Sequence, residues 1–106
     1  MYSRVTLLEI DTMRVGMEEA AALFRDQVVP GLRTQDGYEG SVALATPEGK
    51  GMIITFWETE EGAQDASGFA SAELERYVTM FRSPPGREYY EVAFADMAGV
   101  SVVSLR

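Results

Sequence analysis

Residues Gly37 to Glu61, GYEGSVALATPEGKGMIITFWETEE, decide the fold. Two runs suited to strands, Tyr38 to Thr46 and Met52 to Glu58, flank Pro47-Glu48-Gly49. Pro presets one backbone angle and Gly accepts conformations closed to other residues, so this tripeptide is turn chemistry and the runs form an antiparallel hairpin. In the second run Met52, Ile54 and Phe56 share one face, and Ile53, Thr55 and Trp57 share the other. Both faces are apolar, as in a strand covered on two sides. Thr59 follows, with a hydroxyl able to cap a helix, and Glu60 and Glu61 occupy the first turn, where the helix dipole favours negative charge.

Upstream of the hairpin, Ser3 to Asp11 reads as a strand, with Val5 and Leu7 on one face and Leu8 and Ile10 on the other. From Met17 the apolar residues fall at Met17, Ala20, Ala21, Phe24, Val28 and Leu32. Those spacings of three and four define one face of an amphipathic helix. Pro30-Gly31 is expected to end or kink it, because Pro removes a donor and crowds the preceding turn.

Downstream, Ala63, Ala66, Phe69 and Ala70 give the next helix a thin apolar face, with a break expected at Gly68 or Ser71-Ala72. Leu74, Tyr77, Val78 and Phe81 continue at helical spacing until Ser83-Pro84-Pro85-Gly86 stops them. Arg87 to Ala95 reads as the fourth strand, with Tyr90, Val92 and Phe94 on one face. The run 97–106 is β-prone and is expected as an extra strand or a dimer arm.

The order is strand–helix–strand, hairpin, strand–helix–strand. That is an α+β chain of ferredoxin-like, split βαβ type: a four-stranded antiparallel sheet with both helices on one face. At 106 residues it is read as a single domain spanning 1–106. The uncovered sheet face is apolar on three strands, which a monomer would leave in water. A homodimer packed sheet against sheet removes that exposure.

Composition excludes several functions. Seventeen acidic residues against nine basic ones give a net charge of −8, so neither nucleic acid nor an anionic membrane is an expected partner. With no Cys and no His, disulfides, thiolate nucleophiles, Ser-His-Asp triads and His-ligated haem are ruled out. The spacing assembles no carboxylate cluster for a metal, and neither a metal nor a cofactor is expected. The start MYSRVTLLEID lacks the apolar core of a signal peptide, and no run is long enough for a membrane span, so a cytoplasmic location is expected.

Three segments carry a family resemblance: Val29-Pro30-Gly31-Leu32-Arg33, Gly37-Tyr38-Glu39-Gly40, and Ile53-Ile54-Thr55-Phe56-Trp57-Glu58-Thr59-Glu60-Glu61. With them the chain resembles the antibiotic biosynthesis monooxygenase-like proteins of the dimeric α+β barrel superfamily, from about residue 3 to 95. The resemblance implies a dimer joined through its sheets and a cavity between each sheet and its helices. It also implies one of several activities: oxidation of phenolic or polyketide substrates by O₂ without metal or flavin, haem degradation, or action on quinones. The haem-degrading branch relies on a helix His, which this chain lacks, so Tyr77 or another residue would have to substitute.

Trp57 matches a position that lines the cavity in some relatives and would stack a substrate ring; the competing reading is packing beneath the second helix. Tyr38, Tyr77, Tyr89 and Tyr90 each offer a phenolic donor for a substrate oxygen, Tyr77 foremost because it is expected to face the sheet beside Phe81. Half-buried Tyr also occurs for packing alone. Phe69 and Phe81 complete the expected binding wall, and Arg87 is positioned to pair with an anionic group or to remain a surface charge. Trp57 and Tyr77 are thus the catalytic candidates, with Tyr38, Phe69, Phe81, Tyr90 and Arg87 as substrate-binding candidates. Two functions follow: a cofactor-independent monooxygenase acting on a small aromatic or quinol-type molecule, or a non-catalytic small-ligand-binding dimer. No strong general base is evident, which weighs against the first.

Overall fold

The computed structural model describes residues 1–96 and 103–104. Strand β1 (Tyr2–Glu9) leads to helix α1 (Met17–Leu23), a π-helical segment (Phe24–Val28) and a short α2 (Val29–Leu32). Strands β2 (Tyr38–Ala45) and β3 (Lys50–Trp57) form the hairpin, followed by α3 (Glu60–Asp65), α4 (Ser67–Glu75) and a 3₁₀ turn (Val78–Met80). The chain continues through β4 (Gly86–Glu91), β5 (Phe94–Ala95) and β6 (Val103–Ser104).

The first four strands form one sheet in the order β2-β3-β1-β4, with all adjacent pairs antiparallel. This is the ferredoxin-like α+β arrangement, in which each helical crossover spans one intervening strand. Register then separates the two faces. Arg4 pairs with Thr55 and Tyr89, and Tyr2 with Trp57, on the face beneath the helices. Val5 pairs with Ile54, and Leu7 with Met52, which in turn pairs with Leu44, on the open face. Leu44 is 52% exposed there, so the row of apolar side chains faces outward.

The hairpin turn depends on Gly49. Its φ is +105°, in the region that favours glycine, and its carbonyl accepts the Ile10 N–H at 2.7 Å. A Cβ there would run into the Ile10 carbonyl oxygen. Thr59 caps α3 as expected, its hydroxyl accepting the Gly62 N–H at 3.0 Å.

Three local expectations are modified. Pro30 does not end the first helix. It has no N–H to donate, and the turn before it widens so that the Val29 N–H reaches the Phe24 carbonyl, five residues back. The break in the second helical region falls at Ala66, not at Gly68 or Ser71-Ala72; Ala66 is buried against the core, whereas Gly68 faces open space. The fourth strand stops at Glu91 because β1 begins at Tyr2, its last partner; the Val92 N–H bonds to the Met1 carbonyl at 2.9 Å instead. Phe94–Ala95 pair with Val103–Ser104, and the remainder of the 97–106 run lies outside the described residues.

The core under the helices is built on Val28, Leu32, Trp57, Ala63 and Ala66, with Tyr2, Phe24, Tyr38, Phe69 and Tyr77 packed around it. Fully burying a side chain such as Leu32 contributes about 1.5–3 kcal/mol. The three small or branched helix residues matter as much, since Ala63 and Ala66 allow α3 to lie close over the indole.

Candidate functional site

A cavity of about 60 Å³ lies between the hairpin end of the sheet and the helices. Its wall includes Leu8, Phe24, Ile53, Leu74, Tyr77 and Phe81, with Met17 and Met80 also contributing. Among the described residues Tyr77 is the one lining side chain with a hydroxyl; the rest are aliphatic, aromatic, thioether or glycine. A cavity that accepts benzene measures about 150 Å³, so an aromatic ring needs this one to widen. The flexible, polarizable side chains of Met17 and Met80 in the wall provide for that.

The candidate residues divide among four places. Tyr77 and Phe81 line the cavity. Trp57 is 0% exposed and lies in the adjoining core, not in the cavity wall. Its indole N–H donates to Thr55 Oγ1 at 2.8 Å, and Tyr38 meets the ring edge-on at 5.4 Å between centroids. The Tyr38 hydroxyl shares a 2.8 Å hydrogen bond with Ser41, so its polar end is engaged within β2. Phe69 packs on the same core and against the backbone of Gly31.

Arg87 lines a separate groove at the seam of α4 and β4, with Ser71, Leu74, Glu75, Phe81 and Pro85. Tyr90 is on the opposite, open face of the sheet, 52% exposed and hydrogen-bonded through its hydroxyl to the Glu88 carboxylate. That bond holds the Tyr90 phenol above its ordinary pKa. Tyr89, by contrast, sits on the helix side and donates to Ser67 Oγ at 3.0 Å, tying β4 to α4.

Sequence reasoning did not single out Arg4. Its side chain is on the helix-covered face of a central strand and only 3% exposed. Nη1 donates to Thr6 Oγ1 at 3.2 Å, while Nε and Nη2 are buried without a hydrogen-bond partner. Burial is the main cause that lowers its pKa, and the Arg87 charge pushes the same way. Tyr89 opposes the shift, its phenol standing close enough to favour the cation without completing a bond to Nε or Nη2. The available signal was a charge at a register position shared with Leu8 and Ile10, in a strand apolar on both faces.

Among the described residues, no group of three or more His, Cys, Asp or Glu side chains is placed to hold a metal ion. No helix of the described residues is long and apolar enough to cross a membrane.

No protein-family model and no curated protein matches the chain. Solved structures do. A protein of unknown function from Nitrosomonas europaea superposes with a TM-score of 0.71 at 22% identity, covering 91% of this chain and 92% of that one. A monooxygenase from the gene ActVA-Orf6 of Streptomyces coelicolor, solved with Nanaomycin D, gives 0.70 at 19% identity, covering 91% and 90%. A dimeric ferredoxin-like protein from an uncultured marine organism gives 0.63 at 10% identity, covering 92% and 99%. The chain therefore has the fold shared by antibiotic-biosynthesis-monooxygenase-like and dimeric ferredoxin-like α+β proteins.

Proposed function

We propose that this protein is a homodimer that takes a small aromatic or quinol-type molecule into the cavity between sheet and helices and oxidises it with O₂ without a cofactor. The observation that carries the reading is the cavity itself: an apolar pocket in whose wall, among the described residues, Tyr77 supplies the single side-chain hydroxyl. A ring fills the apolar part, and Tyr77 orients its oxygen by donating a hydrogen bond. The superposition on a monooxygenase solved with Nanaomycin D supports an oxygenase reading. The row Leu7–Met52–Leu44 on the open face supports sheet-to-sheet pairing of two copies.

In this reading the substrate supplies the electrons. An ionised hydroxyaromatic carries negative charge onto a ring carbon, and that carbon reduces O₂ and bonds to it. One oxygen atom remains as a ring carbonyl and the other leaves as water with the hydrogens lost from the phenol and the ring carbon. The protein's contribution is orientation and exclusion of bulk water. Trp57 acts through position: its indole supports β3 and the adjoining core, next to the cavity wall formed by Val28 and Ile53.

Oxygen uptake by metal-stripped protein over a panel of hydroxyaromatics tests this, with uptake expected for at least one member and matched by quinone formation. Silence across a broad panel would sink the oxygenase. A second reading is a non-catalytic binder, favoured by a cavity wall that, among the described residues, carries no carboxylate, Lys or Arg side chain. It predicts saturable binding with no turnover.

A further inference from the structure

The chain carries nearly two acidic residues for each basic one, yet among the described residues the deeply buried Arg4 guanidinium forms no ion pair with a carboxylate. Among the described residues the ion pairs join Arg14 to Asp11, Arg25 to Asp26 and Arg76 to Glu73, all on the surface. Arg4 completes a hydrogen bond to the Thr6 hydroxyl and has the Tyr89 phenol nearby, but no carboxylate among the described residues. Removing a cation from water without an opposite charge is expensive, and proteins avoid it unless something pairs with the charge.

The two unpartnered atoms are Nε and Nη2. These lie along one edge of the planar guanidinium and point their N–H groups the same way. That edge is a fork whose spacing matches the two oxygens of a carboxylate. Nη1, on the other side, is already occupied by Thr6 and holds the plane in place. The fork is thus oriented, and among the described residues nothing hydrogen-bonds to it.

Its surroundings favour an anion. Arg87 shares the helix-covered face, pairing in register with Thr6 next to Arg4, and its charge acts on Arg4 directly. The hydroxyls of Tyr89 and Ser67 bond to each other at the same seam. Arg87 also lines the groove between α4 and β4, where Glu75 is the one carboxylate in the wall and makes no ion pair with it. Leu74 and Phe81 belong to both this groove and the apolar cavity. Arg87 reaches that groove while Arg4 lines neither space, so an acid entering from the groove meets Arg87 first and reaches the Arg4 fork only when the side chains over it move.

We propose that Arg4 is an anion-binding residue whose free edge receives the carboxylate of a small aromatic acid, with Arg87 as the second cation at the entrance. This rests on the reading of the chain as a small-aromatic binder and adds the acidic group to its ligand. Tyr89, which stands close to the Arg4 guanidinium and bonds to Ser67, has to give way when the acid enters.

The test is thermal unfolding of the full chain with benzoate or with benzamide at matched ionic strength, a comparison that needs no turnover. Native-state binding raises the melting temperature, and benzoate is expected to bind roughly tenfold or more tightly than its neutral isostere. Arg4→Met should melt higher than the parent without ligand, since an unpaired buried charge has been removed, and should lose the response to benzoate. Equal binding of benzoate and benzamide, or an undiminished benzoate response in a folded Arg4→Met protein, overturns the assignment. If Arg4→Met does not fold, the benzoate–benzamide comparison on the parent decides alone. Benzoate selectivity without oxygen uptake would retain this site and remove the oxygenase; oxygen uptake on neutral phenols with no carboxylate preference would do the reverse.

Discussion

The Phe69 ring lies directly on the backbone of Gly31, so that a Cβ at Gly31 would overlap Cζ and come within 3.0 Å of Cε2. This contact joins α2 to α4 over the core that holds Trp57. Gly31→Ala forces the ring or the helix aside, a form of overpacking that costs about 1–3 kcal/mol. Urea unfolding of the single variant measures the loss. In Phe69→Leu the same Gly31→Ala change should cost much less, because the ring that collides with it is gone.

Trp57 is sealed in the core and bonded to Thr55. Its emission should therefore be blue-shifted and resist quenching by iodide. Trp57→Phe removes the N–H bond and leaves unfilled volume, at a cost of about 1–3 kcal/mol by chemical denaturation. An emission maximum typical of water-exposed tryptophan would contradict this placement.

Tyr77→Phe tests the cavity hydroxyl alone. The ring still packs against the core, so the melting temperature should change little. Affinity for hydroxyaromatic ligands should fall by a factor of about 3 to 10, as for loss of one neutral hydrogen bond. Affinity for the corresponding unsubstituted rings should stay the same. Calorimetric titration of matched ligand pairs separates the two.

Leu44 stands in the outward row with Met52 and Leu7. Leu44→Asp places a charge where two sheets would meet, and sedimentation should then shift from dimer toward monomer. A parent protein that sediments as a monomer at micromolar concentration would remove the dimer proposal.

Local chemistry made much of the fold legible. Pro47-Glu48-Gly49 specifies a turn within three residues, and Thr59 caps a helix with an atom of its own side chain. The candidate site was harder to read because it depends on which face of each strand the helices cover. Alternation separates Tyr89 from Tyr90, but it does not say which of the two meets α4; the Ser67 contact answers that. Trp57 carried two readings, core packing or cavity wall, and its cluster with Ala63 and Ala66 places it in the core. Arg4 escaped notice because a charged residue in a strand is ordinarily counted with the solvent face. Only the pairing of its strand between β3 and β4 places it inside.

The widened turn at Phe24–Val28 gives the first helix an extra residue of phase. Upstream of it Met17 and Ala20 line the cavity, while downstream Leu32 packs in the core with the indole. Deleting one residue from the segment would restore ordinary winding and turn one half against the other by about 100°. Cavity wall and core ridge would then no longer face the sheet together. The length of this segment works as a gear between two surfaces of a single helix, and its residue count, more than its composition, is what natural variation in this chain has to respect.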